Sequence, residues 1–371
     1  MRRPSRLFLP ATLAALALMA PASAIAQSGG SAEPRIVGGS TASVSTYPWQ
    51  AAVVDSTAQS PSRNAHQRQF CGGSLLTSRI VVTAAHCVAD TDPDCSVTCA
   101  ISDPGGDGTA KLDPNDVDVI LGRSTLTDTS QGGEYAVTAV VPRSNYNGNY
   151  QGDGVPRYDV AYLVLAAPSG QTPIKIAGTD EGALWDPDSA VEISGWGTTS
   201  ESAPDTENTM RAATVGVIPD ATCGSGAVYG SDFDPATMLC AGYVSGGVDT
   251  CDGDSGGPLE APLQSGGYRL VGITGWGDGC AQANAPGVYT RVAGPTMRSL
   301  IQSDVSSLDS LYGLPAESIF GAGGQPLSGA PPVSAASPAK ARKKCRRLHS
   351  RKKRRRCVKR VKARTSAQQL P

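Results

Sequence analysis

The sequence predicts an all-β protein with one short helix near the end of its globular part. Forty-three Gly and 27 Pro in 371 residues supply turns throughout. Apolar runs such as Arg79 to Ala84 and Val160 to Leu165 have the length of strands, and no long stretch repeats its apolar residues at the helical period. Only Thr296 to Val305, with Met297, Leu300 and Ile301 on one side, reads as a closing amphipathic helix.

From the N-terminus, Arg2, Arg3 and Arg6 precede an apolar run from Leu7 to Ala20, and Ala22, Ala24 and Ala26 then offer small-residue cleavage sites. This is the pattern of a signal peptide over residues 1–26, so the mature protein is expected to be secreted and extracellular. A membrane anchor is the alternative. Pro10 interrupts the run, however, and its length falls short of the ~18 to 20 residues a span requires, so no transmembrane anchor is expected. A polar segment from Gln27 to Arg35 leads into the body, Ile36 to Tyr312. Two stretches rich in Asp, Gly and Pro, Ala89 to Pro114 and Arg143 to Arg157, interrupt the strand pattern as surface insertions. Residues 313–339 have the Gly, Pro, Ala and Ser content of a linker, and residues 340–371 form a polybasic tail expected to be disordered.

Charge divides the chain into two unlike parts. Sixteen of its 32 Lys and Arg lie between Lys340 and Arg364, where there is no acidic residue. Between Ile36 and Ser337 there are 12 Lys and Arg against 32 Asp and Glu, a net of −20. The tail suits contact with a polyanion through counterion release, but it has no Phe, Tyr or Trp on which a base could stack. Ten Cys in an exported chain point to disulfides, while the absence of any C-x-x-C and a total of only three His leave little from which to build a zinc site.

The chemistry begins at Ser255, in Gly253-Asp254-Ser255-Gly256-Gly257-Pro258, where flanking glycines permit a tight turn that exposes the hydroxyl. A serine hydroxyl attacks only when a base removes its proton, so a His held by a carboxylate must exist elsewhere. His86, in Val82-Thr83-Ala84-Ala85-His86-Cys87, stands at the end of a strand-like run; His66 and His349 have no such setting. Asp159 heads the apolar run Val160 to Leu165 and is the matching carboxylate. Taken singly, such an Asp is most often a cap or a turn former.

Together with Arg35-Ile36-Val37-Gly38-Gly39, Cys71-Gly72-Gly73-Ser74-Leu75 and Gly195-Trp196-Gly197, these segments occur in the order of the trypsin-like serine proteases, and the chain resembles that family from Ile36 to about Val292. The resemblance implies two antiparallel six-stranded β-barrels with the active site in the cleft between them. It makes Ser255 the nucleophile, His86 the general base and then acid, Asp159 the residue that orients His86, and the N–H groups of Gly253 and Ser255 the oxyanion hole. Asp249, six residues before Ser255, falls at the pocket floor, with Gly277 and Gly287 as small walls, which implies cleavage after Arg or Lys. Residues 27–35 become an activation propeptide. Cutting after Arg35 frees the α-amino group of Ile36 to pair with Asp254, and because Arg35 suits the pocket, self-activation is expected. A non-catalytic member of the same fold, or a protein whose main task is polyanion binding, are the competing readings.

The resemblance also pairs Cys71 with Cys87, Cys223 with Cys240 and Cys251 with Cys280, each bridge contributing ~2 to 4 kcal/mol. Cys95 and Cys99 are expected to pair within their insertion, and Cys345 and Cys357 to close a loop in the tail or link to another molecule. Gly275 departs from the family, in which a Ser commonly supports the catalytic carboxylate, and a lowered rate is expected. Arg123 stands at the first ligand position of the family's calcium loop, so no metal is expected there and no cofactor anywhere. Asp90, Asp92, Asp94, Asp103 and Asp107 read as solvated loop charges. Protein or peptide substrates are the expected partners of a monomer.

Overall fold

Six runs in the first half of the body, all but the second rich in Val, Ile, Leu and Ala, become β1 (Gln50–Asp55), β2 (Gln69–Leu75), β3 (Ile80–Thr83), β4 (Val117–Leu121), β5 (Gly133–Pro142) and β6 (Ala161–Leu165). They close into an antiparallel barrel in the order β1-β2-β3-β6-β5-β4. The second half supplies β7 (Ala190–Gly195), β8 (Arg211–Ile218), β9 (Met238–Gly242), β10 (Pro258–Pro262), β11 (Tyr268–Trp276) and β12 (Gly287–Thr290). These close in the corresponding order, β7-β8-β9-β12-β11-β10, with Glu192 opposite Glu260 where the ring is sealed. The computed structural model describes residues 36–89, 101–102, 111–146 and 156–327. The signal peptide, Arg35, Cys95, Cys99, the Asp90 to Asp107 carboxylates, Cys345, Cys357 and the basic tail lie outside the described residues.

One apolar core runs through both barrels, including Val53, Val81, Ile120 and Leu163 in the first and Val191, Leu239, Leu259 and Val271 in the second. Each fully buried aliphatic side chain of this kind stabilises the fold by ~1.5 to 3 kcal/mol. Both β3 and β6 are buried along their whole length. A register shift in β11 between Thr274 and Trp276 leaves a bulge at Gly275, beside the cleft.

The closing helix is longer than its apolar pattern predicts, running from Pro295 to Tyr312 and burying Met297, Ile301, Val305 and Leu308. Tyr162 of β6 donates to Asp304 on this helix at 2.9 Å, and Arg143 pairs with the same carboxylate. Ser306, Ser307 and Ser310 dilute the apolar period past Val305, which is why sequence reading stops short. Gly313, in the left-handed region at φ 60°, ends the helix.

The chain beyond Gly313 is not the linker that its composition predicts. Leu314 and Ile319 are buried, and Ile176 and Ile319–Gly321 exchange backbone hydrogen bonds of 2.8 Å. Glu317 accepts from Ser78 N at 3.0 Å and Ser78 Oγ at 2.6 Å, Gly324 N donates to buried Glu181, and Gln264 N donates to Gln325 O. Residues 314–327 are therefore a strap laid across both barrels. Its composition is that of a linker because it contributes only scattered anchors to binding sites formed by other parts of the chain.

Candidate active site

His86 occupies a single 3-10 turn, Ala85–Cys87, directly after β3, and the Cys71–Cys87 disulfide ties its neighbour back to β2. Asp159 lies just before β6, antiparallel to β3, so ladder pairing alone brings the two residues to the same barrel rim. Asp159 Oδ2 is 2.7 Å from His86 Nδ1, and Oδ1 accepts the His86 backbone N–H at 2.9 Å. These two bonds fix both the ring and its peptide to a carboxylate only 2% exposed. Burial opposes protonation of His86, but the charge and hydrogen bond of Asp159 together prevail and hold its pKa above the usual histidine value.

Ser255 sits on the turn between Cys251 and β10, whose positive-φ residues are glycines: Gly253 at φ 90° and Gly256 at φ 79°. A side chain on Gly256 would collide with Gly72 O and Ala84 N of the first barrel, and Gly72 N donates to Ser255 O at 2.7 Å. Backbone packing at glycines thus presses the serine turn against the barrel that carries His86. The two residues line one cleft of about 500 Å³ together with Asp249, Thr274, Trp276, Gly277 and Gly287.

At the base of this cleft Asp249, 2% exposed, accepts from Thr250 N at 2.9 Å and Ala281 N at 3.1 Å. Burial pushes its pKa up to about 7, against the pull of these N–H groups. A Cβ on Gly287 would stand 2.7 Å from Asp249 Oδ1, so only glycine leaves this carboxylate approachable. Gly277 has no such clash, its would-be Cβ lying 3.4 Å from Gly279 O and 3.8 Å from Tyr229 Oη; its smallness keeps the entrance open. The Cys251–Cys280 disulfide joins the two sides, and Cys223–Cys240 closes the neighbouring loop. Glu201 accepts from Cys280 N and from Gln282 Nε2, each at 3.0 Å, and so steadies the wall.

Asp254 is buried behind the serine and accepts from Gly197 N at 2.8 Å and Cys251 N at 3.0 Å; burial raises its pKa to about 7. A side chain on either Gly195 or Gly197 would strike its carboxylate, which explains both glycines of the Gly-Trp-Gly segment. Ile36 is fully buried, and the next residue, Val37, accepts from Asp249 N at 3.2 Å.

Gly275 faces Asp159, since its would-be Cβ stands 3.8 Å from Oδ2 but only 3.0 Å from Val288 O. Arg123 is buried and donates to Gln131 O at 3.1 Å and Leu126 O at 3.2 Å, filling its loop with a cation. Among the described residues, Cys71, His86 and Cys87 are the one set of potential metal ligands close enough to share an ion. Their two sulfurs are bonded to each other.

Sequence reading missed Tyr229 and Tyr289 at the pocket, buried Glu260, and Gln69, which reaches the serine turn from β2. None lies in a motif. A lone Gln or Glu in an apolar strand was the available signal.

An imidazole held by a buried carboxylate, in a cleft shared with a turn-borne serine, is the equipment of a hydrolase with a serine nucleophile. The family described as Trypsin matches residues 36–299. The chain is 37% identical to a trypsin of Saccharopolyspora erythraea over 69% of its own length and 93% of that protein. It is 32% identical to a trypsin-like protease of Streptomyces glaucescens, over 71% of this chain and 80% of that one. To the hepatocyte growth factor activator serine protease of Mus musculus it is 33% identical, over 70% of this chain and 35% of that protein. The chain belongs to the trypsin family and is a serine endopeptidase.

Proposed function

We propose that this endopeptidase is secreted as a zymogen, is activated by a cut after Arg35, and hydrolyses peptide bonds after Arg or Lys. The observation that carries the specificity is Asp249: a buried carboxylate at the base of the cleft, hydrogen-bonded to backbone N–H groups, beside a glycine that leaves it reachable. A guanidinium bound there restores the charge that burial disfavours, and its planar fork matches a carboxylate better than an ammonium does, so Arg is the preferred residue.

In the reaction Ser255 Oγ attacks the carbonyl carbon while His86 Nε2 takes its proton, and Asp159 holds the resulting imidazolium through Nδ1. The oxygen of the tetrahedral intermediate accepts from Gly253 N and Ser255 N, each such donor being worth ~2.7 to 4 kcal/mol in the transition state. His86 then gives its proton to the departing amine. In the second half, water repeats the attack on the acyl-enzyme with His86 again as base.

Before the cut, Ile36 carries no charge. Cleavage supplies an α-ammonium to a segment already buried, and pairing with Asp254 orders the serine turn. The Arg-rich, apolar and small-residue order of residues 1–26 supports export, and the basic tail supports contact with polyanions. The test is hydrolysis of peptide anilides ending in Arg, Lys or Phe, before and after cleavage at Arg35. Turnover of Arg and Lys only after the cut is expected. A preference for Phe, or full activity of an uncut Arg35→Gln chain, contradicts the proposal.

A further inference from the structure

The glycine assigned to the oxyanion hole is backed by Gln69 of the opposite barrel and by Thr206 of its own. Gln69, the first residue of β2, is buried, and its Nε2 donates to Gly253 O at 2.7 Å and to Cys71 O at 3.1 Å. Its Oε1 is buried without a hydrogen-bond partner and lies 3.4 Å from the point a Cβ on Gly253 would occupy. Thr206 Cγ2 stands 2.8 Å from the same point, and Thr206 O is 2.7 Å from His66 Nε2. His66 belongs to the short helix Ala65–Arg68, which a reciprocal Asn64–Gln67 capping box makes rigid.

We propose that Gln69, assisted by His66 through Thr206, is a positioning residue for the oxyanion hole: the first barrel holds the Gly253–Asp254 peptide on one side of Gly253 Cα, Thr198 N holds the Asp252–Gly253 peptide that carries the Gly253 N–H through Asp252 O at 2.8 Å, and the two anchors together set the aim of that N–H. Glycine at φ 90° has no side chain to hold its own plane, so its orientation must come from what it touches. The proposal rests on Ser255 being the nucleophile. Losing an oxyanion donor costs ~10²- to 10³-fold in rate, and a donor left in place but free to swing costs about tenfold.

The test uses the full chain cut at Arg35 and its Gln69→Met variant, similar in shape but without the donor. Three quantities are measured: kcat and KM on the peptide wild type turns over best, the affinity for benzamidine, which fills only the pocket, and the affinity for a peptidyl aldehyde. With the aldehyde, Ser255 Oγ bonds to the carbonyl carbon, its proton passes to His86, and the carbonyl oxygen becomes the oxyanion in the hole. The expected result is a loss of about tenfold in both kcat and aldehyde affinity, with KM and benzamidine affinity unchanged. Gln69→His, which keeps a ring N–H, restores part of kcat. Should Gln69→Met not fold, His66→Ala carries the test, with a loss of about threefold in kcat and aldehyde affinity and none for benzamidine. Unchanged kcat and aldehyde affinity, or benzamidine affinity falling in step with kcat, overturns the proposal. Wild type that turns over no peptide contradicts the reading of Ser255 instead, because an active wild type is the reference for every variant.

Discussion

The two barrels share one strand order and differ in what they bury. The first encloses mostly aliphatic side chains, and two of its buried charges have opposite partners, Asp159 holding His86 at 2.7 Å and Arg68 pairing with Glu134 at 2.8 Å, while Arg123 rests on two backbone carbonyls. The second buries Asp249, Asp254 and Glu260 on backbone N–H groups, a serine and a tryptophan, and burial raises the pKa of all three. Identical topology therefore does not imply identical work. One barrel frames an imidazole–carboxylate pair, while the other stores uncompensated acids at a cost to its own stability. Under the proposed function two of these acids would gain a compensating cation, a basic substrate side chain for Asp249 and a liberated ammonium for Asp254.

The comparison breaks first if the barrels act separately. His86→Ala and Ser255→Ala, one from each, are each expected to lower kcat at least ~10⁴-fold, and the double variant to lose no more than either single. Multiplying losses in steady-state assays would mean the two residues do not form one unit.

A smaller effect separates the barrels by pH. His86 must be neutral to act as base and its pKa is raised, so kcat should fall with acid from a point above 6.5. Benzamidine needs Asp249 ionised, so its binding should weaken as pH drops through about 7. Asp249→Asn should weaken benzamidine binding at every pH, while titrating kcat and benzamidine affinity in parallel on the wild type separates the two dependences.

Glu260 sharpens the contrast in stability. Ser194 Oγ is 2.8 Å from its Oε1, Trp49 Nε1 donates to its Oε2 at 2.6 Å, and burial, reinforced by Glu192, raises the pKa from 4.5 to about 8. Between those values the folded chain keeps a proton that the unfolded chain has released, so this group's contribution to stability declines as pH rises from about 4.5 to 8. Glu260→Gln should accordingly raise Tm at pH ~9 and leave it near wild type at pH ~4. Glu134→Gln in the first barrel, which strands the buried guanidinium of Arg68, should lower Tm instead. Thermal melts at the two pH values check both signs. The smallest effect is Gly275→Ser, which brings a hydroxyl toward Asp159 Oδ2 and should raise kcat several-fold once Val288 O gives way.

The residues of the candidate site were legible because each sits in a short motif whose geometry is local: a glycine turn for Ser255, a strand end for His86, a strand head for Asp159. The Gly-Trp-Gly segment was legible as a marker but not as a device, because its purpose, clearing space around Asp254, exists only after the chain has folded back on itself. Gln69 and Glu260 were illegible for the same reason. Each looks like an ordinary polar residue in a strand until the opposite barrel arrives. Residues 314–327 were misread because composition reports what a segment could bury by itself, whereas Ile319 and Glu317 use partners more than a hundred positions away.

The measurement closest to the central claim is turnover of Arg, Lys and Phe anilides by the cut chain and its Asp249→Ser variant, with an organophosphorus serine reagent applied to both. Turnover of the Arg and Lys peptides should vanish in the variant while Ser255 still reacts with the reagent, separating the pocket of the second barrel from the nucleophile it serves. Retained cleavage of the Arg peptide in the variant would contradict the assignment of Asp249. No reaction of Ser255 in wild type with a free Ile36 terminus would contradict the site itself.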